Sequence, residues 1–113
     1  MQKELYKIAT ARNFRLEYHI LKNALEHEGK LLSVYGVEII KKQRKDGVFL
    51  SEAKAIKNVC VSVDQIKRLV QLLAENLVTP ITLNDVVEDL IAEHKLATPK
   101  EQEILDGLLV DAG

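Results

Sequence analysis

The sequence predicts an α+β fold: an antiparallel β-meander of three to five strands, then two amphipathic helices on one face, with a third helix signal at the C-terminus. Three observations carry that prediction. Residues 1–60 alternate with period two and are rich in β-branched and aromatic side chains. Asp46-Gly47 between two such runs is a hairpin-turn pair, because both positions tolerate positive φ. At Ser62 the apolar period changes from two to that of a helix.

Taken in order, residues 5–9 supply a short strand. Phe14, Leu16, Tyr18 and Ile20 alternate with Arg15, Glu17 and His19 in the next one. The polar, glycine-containing residues 26–30 read as a turn. Residues 31–40 form a strand, and the basic run of Lys41, Lys42, Arg44 and Lys45 caps the hairpin that turns at Asp46-Gly47. Residues 48–50 begin another strand, which residues 56–61 complete or follow with one more.

Ser62-Val-Asp-Gln65 fits a capping box. Ile66, Leu69, Val70, Leu73 and Leu77 then make one helical face, and the helix should stop near Val78, ahead of Pro80. Thr82 starts the next helix, with Asp85 placed to cap it and Leu83, Val86, Val87, Leu90 and Ile91 on its apolar side. Thr98-Pro99-Lys100-Glu101 is a third start signal, with Ile104, Leu105, Leu108 and Leu109 as its face and Gly107 inside it.

The 113 residues suit one domain, with a core over about residues 3–93 and a loosely attached segment 94–113. Apolar residues at 47% and charged residues at 29% argue against disorder. A single cysteine, Cys60, excludes an intramolecular disulfide. No apolar run reaches membrane-spanning length, and the first residues carry no apolar signal region, so a cytoplasmic protein without a membrane partner is expected. The net charge of -1 conceals a split. Residues 1–60 hold twelve Lys and Arg against seven Asp and Glu, and residues 61–113 hold four against ten. Such asymmetry suits an anionic partner or association between copies, and equally two layers of unlike composition.

The stretch Leu72-Leu-Ala-Glu-Asn-Leu-Val-Thr-Pro-Ile-Thr-Leu-Asn-Asp-Val-Val-Glu-Asp-Leu-Ile91, with Tyr35-Gly-Val-Glu-Ile-Ile40 upstream, resembles a family of short bacterial proteins of unknown function, typical of Gram-positive anaerobes. The resemblance covers residues 14–92. It implies a bacterial, cytoplasmic origin and brings no activity, cofactor or catalytic residue.

No catalytic constellation stands out. His19, His27 and His94 share no metal-ligand spacing, so no metal is expected. Cys60 precedes a helix N-terminus, which favours a thiolate, but its β-branched neighbours make it core filling; it is the one nucleophile a small enzyme would have. Asp85, Glu88, Asp89 and Glu93 form an acidic row on one helix, as solvated faces do. No phosphate-binding glycine motif occurs, and no cofactor is expected. The run Lys41, Lys42, Arg44 and Lys45 is the best anion or nucleic-acid feature, since phosphate contacts need only such charges.

Residues 31–40 are apolar on both alternating faces. A strand of that kind is buried on both sides. The helices cover one; the third helix, a second copy or a different protein is left to cover the other, and Tyr35, Val37 and Ile39 are the candidate self-association residues. The expected function is therefore a non-catalytic protein–protein interaction module, a homodimer or a binder of another protein. A nucleic-acid-associated protein comes second and a small enzyme third.

Overall fold

The structure, a computed structural model, describes residues 1–92. The expected third helix, with Glu93 and His94, lies outside the described residues. Strands β1 (Gln2–Thr10), β2 (Phe14–His27), β3 (Lys30–Lys45) and β4 (Val48–Cys60) form one antiparallel sheet in sequence order, the meander that the alternation implies. The strands are longer than the sequence suggests. The turn expected over residues 26–30 contracts to Glu28-Gly29, and residues 41–45 continue β3 rather than cap it. Residues 48–60 make one strand, not two. Glu28-Gly29 and Asp46-Gly47 all have positive φ, the backbone of a two-residue type I′ hairpin. A tighter turn leaves more residues for the ladders on either side.

Directly opposed residues share a face, so the register sorts the side chains. Tyr18 opposes Ile39, and Ile20 opposes Val37; both pairs lie on the face that packs under the helices. Glu17 opposes Ile40, and His19 opposes Glu38, on the open face. Near its end β4 bulges. Tyr35 pairs with Cys60 but Val37 pairs with Ile56, so three β4 residues stand against Gly36. A Cβ at Gly36 would run into the carbonyl oxygens of Ile56 and Lys57, which is why glycine interrupts this apolar strand.

Helix α1 (Val63–Glu75) starts where the capping box places it: the Ser62 hydroxyl accepts a hydrogen bond from the Gln65 amide at 3.3 Å. Ile66, Leu69, Val70 and Leu73 are buried on the sheet. The helix ends earlier than proline alone requires. Val78 N–H donates to the Leu73 carbonyl and Leu77 N–H to that of Ala74, a Schellman ending with Leu77 at φ 51°. Leu77 thus leaves the apolar face and is half exposed. A 3-10 turn, Pro80–Thr82, then leads into α2 (Leu83–Ala92). The second helix therefore begins one residue after Thr82, with Asp85 in its first turn and Leu83 and Val87 buried. The Tyr18 hydroxyl donates to the Val78 carbonyl at 2.9 Å and ties the sheet to this connection.

Candidate interaction surface

The structure buries residues that the sequence assigned to a self-association surface. Val37 and Ile39 are fully buried in the core beneath the helices, and Tyr35 is half buried beside them. They cannot serve as an exposed self-association face. The alternate set, Leu32, Val34, Glu38 and Ile40, occupies the open face, where Val34 is also buried. Of this doubly apolar strand, Val34 is buried on one face and Val37 and Ile39 on the other within one copy.

The basic run is also redistributed. Strand alternation places Lys41 and Lys45 on the helix face and Lys42 and Arg44 on the open face. Lys41 stands 4.9 Å from the centre of the Phe14 ring and Arg44 5.2 Å from that of Phe49. The Lys42 ammonium lies 2.9 Å from the Glu17 carboxylate, which also meets Arg15 at 3.4 Å and His19 at 3.2 Å. The hydrogen bond from Lys42 is the main cause that holds the Glu17 carboxyl below its ordinary range, against the opposing effect of burial. The run is therefore not a single basic patch, and Glu17 is a saturated carboxylate rather than a free base.

Cys60 is buried, and its thiol lies 3.4 Å from the Ser62 carbonyl oxygen, so no nucleophile faces solvent there. Among the described residues no three His, Cys, Asp or Glu side chains converge as metal ligands. His27, expected in a turn, ends β2. Asp85, Glu88 and Asp89 are exposed on α2, as a solvated row would be.

The feature that sequence reasoning missed is the edge of β4. Residues 48–55 are all exposed, including Phe49 at 77%. In the type I′ hairpin the flanking pair, Lys45 and Val48, exchanges both ladder bonds. The alternation continues unbroken to the Val37–Ile56 pair. Leu50, Glu52 and Lys54 therefore bond to β3. Phe49, Ser51, Ala53 and Ala55 turn their N–H and C=O groups outward. Among the described residues no strand pairs with them. The opposite edge is different: the bulge of β1, between Leu5 and Lys7, interrupts the strand in its middle, whereas that of β4 lies beyond Ile56, and a bulge discourages strand pairing. Alternating turn residues signal a hairpin in sequence, but only strand order reveals which strand is left at an edge.

Sheet, helices and bare edge together define a small α+β meander protein. The chain belongs to the family of unknown function DUF6514, whose model matches residues 2–93. No curated protein and no solved structure matches it. Among the described residues no helix is long and apolar enough to cross a membrane.

Proposed function

We propose that the protein is a non-catalytic, self-associating interaction module of the bacterial cytoplasm, and that its working surface is the outer edge of β4. The observation that carries this reading is the contrast between the two edges. Eight consecutive exposed residues, 48–55, border a regular row of outward-facing backbone groups that ends before the β4 bulge beyond Ile56, whereas the bulge of β1 falls in the middle of its strand. An open edge of this length is a template for strand addition, in which main-chain hydrogen bonds supply affinity and alternate side chains supply selectivity.

Residue-resolved amide hydrogen exchange over a concentration series tests the reading. The amides of Phe49, Ser51, Ala53 and Ala55 are expected to gain protection as the mass rises above the 12.7 kDa of one chain. Leu50, Glu52 and Lys54 should be protected throughout. Rapid exchange of the outward set at every concentration, with the inward set still protected, would show an edge that nothing occupies.

A further inference from the structure

Resting on the reading of β4 as the working edge, the geometry points to a second copy of this chain as its occupant, paired antiparallel about a two-fold axis through Ala53, with Glu52 facing the partner's Lys54 and Lys54 the partner's Glu52.

Outward-facing groups belong to every second residue, Phe49, Ser51, Ala53 and Ala55. Two antiparallel strands pair only if residues with matching orientation oppose one another. For two identical strands the axis must then pass through a residue, never between two. Few registers remain. An axis through Glu52 sets that carboxylate against its own copy, and one through Lys54 does the same with two ammonium groups; like charges directly opposite are destabilising. An axis through Ser51 sets Glu52 against the partner's Leu50 and Lys54 against the partner's Val48. An axis through Ala55 sets Lys54 against the partner's Ile56.

Only the axis through Ala53 satisfies both charges at once. It opposes Leu50 to the partner's Ile56 on the same face, so an apolar pair flanks the two ion pairs on each side. Ala53 meets its own copy through an exchanged pair of backbone bonds, and its methyl group presents little bulk at the axis. The Glu52–Lys54 pairs then fall at the non-hydrogen-bonded positions, where opposed side chains approach most closely. Glu52 and Lys54 project to the helix face. Together with Ala53, Pro80, Ile81 and Asn84 they line an open groove of about 460 Å³, and Ile81 is 79% exposed beside it. This groove gives the partner's side chains room. The assembly is one continuous eight-stranded sheet with both helix layers on the same side.

Charged residues on an edge ordinarily discourage pairing. Here the spacing of one acid and one base, two residues apart, rejects neighbouring registers and accepts one. Edge and selectivity device are the same strand.

The test uses two full-length variants, Glu52→Lys and Lys54→Glu, at low salt, where exposed charges are least screened. Both positions are exposed, so circular dichroism should match the unaltered protein. Each variant alone opposes like charges twice and should weaken dimerisation about tenfold, from the cross-strand pair energies at two sites. Mixed in equal amounts, the two should form a heterodimer with affinity restored, because lysines then face glutamates at both positions. A single chain carrying both exchanges should dimerise like the unaltered protein. A dimer that forms equally in all variants would overturn the register while leaving β4 pairing intact. Both variants weakened without rescue on mixing would overturn the paired contacts. An unaltered protein that stays monomeric would overturn self-pairing itself.

Discussion

Glu17 shows how much a single side chain can be asked to do on an open sheet face. Its carboxylate is almost covered, yet Lys42, Arg15 and His19 reach it. Because the fold holds this carboxyl below its usual value of 4.5, the folded chain binds the proton less well than the unfolded one. The stabilisation is fully present above that value and is lost as pH falls through the folded one. Urea midpoints measured from neutral pH down to about pH 3 should fall for the unaltered protein and fall less steeply over the same window for Glu17→Gln; parallel curves would show that Glu17 does not govern the acid limb. Tyr18 is the counterpart on the helix face, its hydroxyl pushed up to about 12 by burial. Residue identity made Tyr18 and Leu16 legible as core from alternation alone. Tyr35, Val37 and Ile39 were not, because both alternating sets of β3 are apolar. Their placement is decided by pairing with Lys22, Ile20 and Tyr18 across the sheet, which no local pattern records.

At the scale of elements, order and type follow from the sequence, and lengths do not. The hydroxyl of Ser62, the Asp46-Gly47 turn and the period change near residue 62 all act locally, so they can be read locally. Residues 41–45 continue a strand although their side chains are polar, because β4 supplies ladder partners throughout and β2 as far as Gln43. The end of α1 depends on Leu77 adopting a left-handed backbone, which a leucine seldom does. The Schellman bonds and the burial of Val78 hold it there. Relieving that backbone without emptying the core is feasible because Leu77 is 46% exposed. Leu77→Gly should therefore stabilise the protein by about 0.5–1 kcal/mol in denaturant unfolding. A loss of stability would mean that the side chain contributes more at that position than its backbone costs.

The whole molecule is elongated, 52 × 27 × 23 Å, because the β3–β4 hairpin runs on beyond the helices. The helices cover one part of the sheet and leave residues 48–55 exposed. That bare edge belongs to no single residue or element; it follows from β4 being last in a meander. It is also why the candidate surface was illegible in the sequence, where residues 48–55 look like any half-polar strand. On the proposed reading this edge, and not a side-chain pocket, is where the protein acts. Ala53→Pro removes an outward N–H without touching the bonds to β3, and edge strands accept proline. Light scattering on the unaltered protein and on this variant, with matched far-ultraviolet spectra, is the most direct measurement. The unaltered protein is expected at twice the 12.7 kDa chain mass and the variant at the mass of one chain. Equal masses for the two would contradict that reading.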